Sequence, residues 1–458
     1  MTQLALPPGA LVAEKAPPPF SLLDYEGNLR PDVDPSLVPD IPDADCLRLY
    51  REFIKLRLID DRYLKLQRQG RLGFYMQSTG EEATQLGVAY ALKQSDWIYP
   101  SYREPGIAFF RGYSISDFTN QLFGNAEDPI KGRQMPVHHS FRAGNFVSIS
   151  SPVGTQIPQA VGTARAAQIL KHDTVVSVFF GEGTTSPGDF HVGMNFAGVW
   201  KAPVIFVCRN NGWAISTPLS AQTASPSIAH KALGYGFPGL LVDGNDILAM
   251  ISATRIAAAR ARAGEGPTLI EALTYRRAAH SSSDDPSVYR KGKDDEVREW
   301  ERRDPVARFS RYLERKGILT PAIDAQYRDE ITQEITAALQ HVETVGVGGR
   351  GGDHADRIVD DRGGRIGRRR HRGDHAPGRV LDQRQPLVAG QHFRAERFDS
   401  RRMARLGDVL GDLVVDAAHA GFGDREFGEL FGVLDAGATN RVDDQRTHGY
   451  RIQLFLRC

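Results

Sequence analysis

The chain has 458 residues, of which 41% are hydrophobic and 25% are charged, an ordinary balance for a folded protein with a large core. Its 57 lysine and arginine residues nearly cancel its 56 acidic residues, so the net charge of +1 gives no overall attraction to nucleic acid or an anionic membrane. No apolar run is long enough to cross a bilayer, and the three cysteines form no CxxC pair, which argues against a disulfide framework or zinc site and for a reducing compartment.

Residues 1–42 are rich in proline and predict an extended arm rather than a domain, because proline fixes φ and removes a hydrogen-bond donor. Such an arm either lies along a neighbouring subunit or stays mobile, and composition does not choose between the two. Residues 1–20 contain no arginine and no basic stretch before an apolar core. They resemble neither a signal peptide nor a mitochondrial presequence, and we expect a cytoplasmic protein.

The first helix is expected to begin near Asp43 or Asp45, either of which can serve as N-cap, and to end at Gly70. Between about residues 170 and 275, apolar runs rich in β-branched residues alternate with helical patterns. The expected strands and helices cover residues 174–180, 187–200, 203–208, 246–263 and 268–273. This alternation predicts an α/β fold for residues 43–345, a doubly wound and mostly parallel sheet flanked by helices.

Polar residues follow the first two of these strands. Gly181, Glu182 and Gly183 end one strand, and Asn210-Asn211-Gly212 ends the next. Because ligands of open α/β sheets bind outside the carboxyl ends of the strands, the two ends are expected to lie close together. A carboxylate oxygen and an amide oxygen, completed by phosphate and water, suit the coordination shell of Mg²⁺.

This arrangement resembles the thiamine-diphosphate motif, in which a Gly-Asp/Glu-Gly triplet is followed, after a spacer such as residues 184–209, by an Asn-Asn pair. The resemblance extends over about residues 43–343 to the α subunits of branched-chain 2-oxo acid dehydrogenases. The segments that carry it are FYMQSTGEEATQLGVAYAL, YPSYREPG, SISSPVGTQIPQAVGTA, FFGEG, CRNNGWAISTP, VDGNDI and AHSSSDDPSVYR.

The resemblance implies a thiamine-diphosphate-binding fold and the oxidative decarboxylation of a branched-chain 2-oxo acid substrate. The acyl group would pass to the lipoyl domain of the E2 transacylase. In this family a β subunit supplies the carboxylate opposite the aminopyrimidine of the cofactor. We therefore expect an α2β2 assembly with the site at the α–β interface, and a chain that is inactive alone.

The resemblance also implies site residues. Mg²⁺ would be bound by the side chains of Glu182 and Asn211 and by the main-chain carbonyl of Trp213, where a tyrosine is commoner. The diphosphate would be held by Tyr102, Arg103 and Arg209.

Two further loops match the family. Ser151, Pro152 and Val153 would face the aminopyrimidine and the bend of the cofactor, although Val153 is smaller than the usual leucine. Some relatives bind potassium at the positions of Ser150, Thr155 and Gln156.

The catalytic residue that the resemblance implies is His280, which would contact the diphosphate near the reacting carbon. The family often has a second histidine before it, where this chain has Ala279. The following serine-rich loop is phosphorylated in mitochondrial relatives. Because Lys291 replaces the second such serine, we predict no regulation of this kind here.

Residues 346–458 differ in composition, with no lysine and many arginine, glycine and histidine residues. A disordered basic appendage is one interpretation. A nucleic-acid-binding tail acting through residues 363–375 is another, but the many aspartates argue against it. We favour a third, that the tail is a translation of GC-rich DNA in a shifted reading frame.

Three other functions remain as alternatives. The chain could be the α subunit of an acetoin or pyruvate dehydrogenase, which share the chemistry and differ in the substrate pocket. It could also be a non-catalytic relative that binds thiamine diphosphate without turnover. The third, nucleic-acid binding through residues 363–375, depends on a single arginine cluster. Intact Glu182, Asn211, Arg103 and His280 argue against the non-catalytic alternative.

Overall fold

A computed structural model of the chain describes residues 16–345, and its centre is a five-stranded sheet in which every pairing is parallel. The spatial order of the strands is β1-β2-β3-β7-β6, and a short antiparallel pair, β4-β5, follows β3. The strands are β1 Trp97–Tyr99, β2 Val176–Gly181, β3 Val204–Asn210, β4 Trp213–Ala214, β5 Thr217–Pro218, β6 Gly239–Asp243 and β7 Thr268–Leu273.

Ten α-helices occur in the described part of the chain, and some pack on each face of the sheet. They are α1 Asp43–Arg68, α2 Glu82–Ala91, α3 Pro105–Phe110, α4 Ile115–Phe123, α5 Gln156–Ile169, α6 Gly188–Trp200, α7 Ile247–Arg262, α8 Asp294–Arg302, α9 Pro305–Arg315 and α10 Pro321–Thr344. None of these helices has the length and apolarity that a membrane span requires.

Alternate residues of the central strands belong to two separate cores. In β2, Val178 and Phe180 pack with α5 and α6, whereas Phe179 packs with α1, α2 and α7. A strand covered on both faces is apolar at most positions, which is why β2 and β3 appear in the sequence as nearly continuous apolar runs. The predicted fold, a doubly wound and mostly parallel sheet flanked by helices, is confirmed.

The first helix begins at Asp43, as expected, but the predicted capping was wrong. Pro42 occupies the N-cap, and no side chain within the described range caps the helix. Asp43 and Asp45 lie in the first turn instead, where a negative charge favours the helix dipole. The predicted end at Gly70 is confirmed, because its φ of +75° permits the left-handed turn in which Gly70 N donates to Gln67 O.

The described part of the N-terminal arm, residues 16–42, packs against this same chain. Phe20 exchanges two main-chain hydrogen bonds with β6, and Leu22 and Leu23 are buried. The main-chain N–H groups of both leucines donate to Asp246 Oδ2 at 2.7 Å, while Asp246 Oδ1 caps α7. The arm is thus part of the core, an outcome that its proline-rich composition did not indicate.

We expect Leu22→Ala to lower the free energy of unfolding by roughly 2–5 kcal/mol, as is usual when a buried leucine is truncated. Leu22 is fully buried, whereas Leu29 on the same arm is 46% exposed, so Leu29→Ala is the matched control. Denaturant unfolding of both variants provides the measurement. A loss for Leu22→Ala as small as that expected for an exposed leucine would show that Leu22 does not contribute to the core.

The unusual tail, residues 346–458, lies outside the described residues, as do residues 1–15 of the arm. The frame-shift hypothesis is decided by reading the nucleotide sequence around codon 345 in all frames. We expect one alternative frame to encode an ordinary helical C-terminus. If no frame encodes such a C-terminus, the remaining interpretations are a disordered basic appendage and a nucleic-acid-binding tail.

Candidate active site

A cavity of about 550 Å³ opens at the carboxyl ends of β2 and β3, the edge at which parallel sheets bind ligands. It gathers thirteen of the predicted site residues. These are Tyr102, Arg103, Ser150, Ser151, Val153, Gln156, Gly181, Glu182, Gly183, Arg209, Asn211, Trp213 and His280. Pro152 and Thr155 do not line the cavity, and Thr155 Oγ1 instead donates to Ser150 Oγ and to the Pro152 carbonyl.

Glu182 follows β2 directly and is 1% exposed. Its Oε2 accepts a long hydrogen bond of 3.4 Å from the main-chain N of Asn211, and its Oε1 has no hydrogen-bond partner among the residues that the structure describes. Burial raises the pKa of the Glu182 carboxyl, and the nearby Glu81 carboxylate acts in the same direction. A buried carboxylate with an unpartnered oxygen is an environment that a cation would stabilise, so the residues present fit a bound Mg²⁺.

Asn211 lies beside Glu182, and its Oδ1 accepts from Trp213 N at 3.1 Å. Gly212, with φ of +83°, allows the chain to turn back sharply enough for this contact. The Trp213 carbonyl accepts from Arg276 Nη1 at 3.4 Å. Glycine is also needed at position 183, since a Cβ there would lie 2.6 Å from Ala214 Cβ.

Arg209, the predicted diphosphate ligand at the end of β3, is 2% exposed and already bound to protein groups. Its guanidinium forms ion pairs with Glu81 and Glu104, and its Nη2 donates to Ser101 Oγ at 2.7 Å. Two carboxylates therefore balance its charge. Direct binding of a diphosphate by Arg209 stays a prediction, and its observed contacts hold the residues around the cavity in place.

Arg103 and His280 contact one another across the cavity wall. Arg103 Nη2 lies 3.1 Å from His280 Nδ1 and also donates to the His280 carbonyl, while Arg103 Nη1 donates to the Gln77 carbonyl. Tyr102 meets the His280 ring edge-on, with centroids 5.8 Å apart. Two of the residues expected to bind diphosphate, Tyr102 and Arg103, thus form one cluster with the expected catalytic residue.

The imidazole of His280 is held neutral. Burial lowers its pKa to about 4, and the positive charges of Arg103 and Arg276 add to the effect. Arg276 Nη1 lies 3.3 Å from Nδ1, so both guanidinium groups face this nitrogen. A guanidinium can only donate, so we assign Nδ1 as the acceptor and place the ring proton on Nε2.

The loop before α5 contains the residues that are expected to contact the aminopyrimidine ring. Ser151 Oγ lies 2.9 Å from Nε2 of His138, whose Nδ1 contacts the Pro136 carbonyl at 3.1 Å. Val153 is 52% exposed, so its side chain is free to contact a ligand. The Gln156 amide donates to the Phe179 carbonyl at 2.9 Å, and its buried Oε1 has no hydrogen-bond partner within residues 16–345.

Arg276, His138 and Glu81 lie near the cavity and were not predicted to have a role. Arg276 and His138 line it, and Glu81 lies behind it in contact with Arg209 and Asn211. Arg276 and His138 carry no distinguishing local pattern. Glu81 does have a signal, because two adjacent glutamates, Glu81 and Glu82, begin a helix of small and apolar residues, where at least one would normally be exposed.

The fold and this site define a class of protein. Residues 50–347 match the family model described as the dehydrogenase E1 component, and the chain belongs to this family. Members use thiamine diphosphate in 2-oxo acid dehydrogenases, so this chain is a component of such an enzyme. The resemblance that the sequence motifs carry is confirmed.

Several named relatives align over most of the matched region. The "2-oxoisovalerate dehydrogenase subunit alpha, mitochondrial" of Mus musculus is 42% identical over 71% of this chain and 73% of its own length. The human protein of the same name is 43% identical over 71% of this chain and 72% of its own. The "2-oxoisovalerate dehydrogenase subunit alpha 1, mitochondrial" of Arabidopsis thaliana is 42% identical over 71% of this chain and 68% of its own length.

Proposed function

We propose that this chain is the α subunit of a branched-chain 2-oxo acid dehydrogenase that acts on 2-oxoisovalerate and similar acids. The observation that carries the proposal is the cavity in which the unpartnered Glu182 oxygen, the Asn211 amide and the Arg103–His280 pair lie together. The substrate class is taken from the names of relatives that are 42–43% identical.

The cofactor is thiamine diphosphate, bound with Mg²⁺. Glu182 and Asn211 would bind the metal by their side chains and Trp213 by its carbonyl, which would exchange its long contact with Arg276 for the cation. Potassium would bind beside Ser150 and Gln156, supported by the buried and unpartnered Gln156 Oε1. Oxygen ligands of this kind suit all of these hard cations.

When bound, thiamine diphosphate supplies the carbon nucleophile and the electron sink for decarboxylation. Arg103 places a fixed positive charge beside His280, where a diphosphate would be attracted. The His280 Nε2–H can donate a hydrogen bond to an oxygen of the substrate, because its Nδ1 is occupied by arginine donors. The loop of Ser151 and Val153 would position the aminopyrimidine ring.

We also propose the partners. A β subunit would complete the site in an α2β2 assembly and contribute the carboxylate that faces the aminopyrimidine. The acyl group would then be transferred to a lipoyl domain of E2. Val153, half of whose surface is exposed in this chain, borders the cavity where such a subunit would close it.

The experiment is co-expression with the neighbouring β-type subunit and assay of CO₂ release with thiamine diphosphate and Mg²⁺. We expect release from 2-oxoisovalerate to exceed that from pyruvate, and no turnover from the chain alone. Preference for pyruvate, or for acetoin in a matching assay, would reassign the substrate class. A well-formed complex with no activity would indicate the non-catalytic alternative.

A cytoplasmic location is the last part of the proposal. The word mitochondrial in the relatives' names describes those proteins. Fractionation of the source cells with an antibody to the chain decides the point. Recovery in a membrane or organelle fraction would contradict it.

A further inference from the structure

Glu81 is a fully buried carboxylate that does not line the cavity but contacts two residues that do. It precedes α2 directly and is 0% exposed. Its Oε2 pairs with Arg209 Nη1, and its Oε1 accepts from Asn211 Nδ2 at 3.0 Å. These partners flank Asn210 at the end of β3, so Glu81 connects the start of a helix to the strand end that carries the expected metal ligand.

The contact with Glu81 fixes which way the Asn211 amide points. An ionised carboxylate can only accept hydrogen bonds, so Asn211 must present its nitrogen to Glu81 and its oxygen to the other side. That oxygen accepts from Trp213 N at 3.1 Å, which leaves it a second lone pair. Reversing the amide would place Oδ1 against a carboxylate in a buried environment, an arrangement that costs free energy.

Glu81 is itself held in place. Arg209 lies between it and Glu104, whose side chain also accepts from Ser101 N at 2.8 Å. Its ion pair with the Arg209 guanidinium favours the ionised form of the Glu81 carboxyl. Both Glu81 oxygens are therefore occupied by protein donors and are not offered to a ligand.

We propose that Glu81 is a positioning residue that presets the cation-binding oxygens by orienting the Asn211 amide toward Glu182. This inference rests on the proposed function, because it concerns the same Mg²⁺ site. Partners that orient a metal ligand typically change metal affinity about 10- to 100-fold when they are removed. Glu81 would act through Asn211 without contacting the metal.

The test compares Glu81→Gln with Glu82→Gln in the α–β complex. Glu82 is the adjacent residue, is equally buried, and forms its ion pair with Arg57, away from the cavity. Mg²⁺ is titrated calorimetrically at saturating thiamine diphosphate, and the half-saturation concentration is recorded. We expect Glu81→Gln to raise it about 10- to 100-fold and Glu82→Gln to leave it unchanged; equal values in the two variants would overturn the proposal.

A second pair of variants separates positioning from a general loss of structure. Asn211→Asp alone places two carboxylates together and should weaken Mg²⁺ binding, even though aspartate is a good ligand. Adding Glu81→Gln restores a donor opposite the new carboxylate and should recover part of the affinity. A purely structural role for Glu81 predicts additive losses and no recovery, which would count against the proposal.

Two further variants cover the remaining outcomes. If Glu81→Gln yields no complex, Glu81→Asp takes its place, because it keeps the charge and withdraws the carboxylate oxygens by one methylene. An unchanged Mg²⁺ concentration at half-saturation in Glu81→Asp would then overturn the proposal. Glu182→Ala in the same titration tests the site itself. If it leaves Mg²⁺ binding intact, the proposed function fails; if it removes binding while Glu81→Gln does not, only the positioning role fails.

Discussion

Replacing Glu182 by alanine should abolish Mg²⁺-dependent cofactor binding and lower CO₂ release at least ~10³-fold, since a lost metal ligand costs several kcal/mol of transition-state stabilisation. Glu182 is buried and follows β2 beside Asn211, and its Oε1 has no hydrogen-bond partner in the described part of the chain. No other carboxylate lines the cavity in residues 16–345, so none can take its place there. Calorimetric titration of thiamine diphosphate with Mg²⁺ measures binding, and CO₂ release measures turnover.

Glu271→Ala is the matched control. Glu271 is a carboxylate on the neighbouring strand β7, equally buried at 1% exposure, and it accepts from Asn210 Nδ2 and Ala229 N, both at 2.7 Å. Its loss should lower stability while leaving the half-saturation for Mg²⁺ unchanged. Retained cofactor binding in Glu182→Ala would show that the cavity is not the metal site.

The second large effect is expected at His280. Because Nδ1 of His280 is engaged by Arg103 and Arg276 and the residue lines the cavity, His280→Asn should keep an acceptor near the position of Nδ1 and remove only the Nε2 donor. We expect turnover to fall roughly 10²- to 10⁴-fold, the usual contribution of a proton-transfer residue, with little change in cofactor affinity. His280→Ala should reduce both.

The pH dependence follows from the same contacts. With its pKa lowered to about 4, His280 is neutral above pH 5 and should add no inflection to the profile of kcat between pH 5.5 and 8.5. In the unfolded chain its pKa is about 6.5, so the unfolded state takes up the proton first. Stability should therefore fall as the pH drops from about 6.5 to 4, and less steeply in His280→Asn. An inflection near pH 6.5 that disappears in the variant would contradict this assignment.

The sheet was predictable where its strands are buried on both faces. The runs that became β2, β3 and β7 consist mostly of apolar and β-branched residues and needed no tertiary information. By contrast, β1 has three residues and β6 begins with Gly239, so neither forms a long apolar run. Their pairing depends on neighbours distant in sequence, such as Trp97 with Val176, which local patterns do not encode.

Some features of the site could likewise be predicted from the sequence and others could not. Glu182 and Asn211 could be placed together from sequence, because consecutive parallel strands end at one edge of the sheet. The engagement of Arg209 by Glu81 and Glu104 could not, since these partners are 128 and 105 residues away and arrive on separate loops. Electrostatic compensation among buried groups is a property of the folded chain.

The two edges of the sheet are both occupied by irregular segments of the same chain. At β6, Phe20 of the arm bonds to Leu241 O and Asp243 N; at β1, Ile98 exchanges hydrogen bonds with Asn145 and Val147. Unpaired edge strands allow chains to associate by extending one another's sheets. Within residues 16–345 the middle of both edges is already bonded, so these two strands do not offer their edges to a neighbouring chain. A chain shortened past residue 20 would expose the edge of β6, and we expect it to associate more readily with other chains.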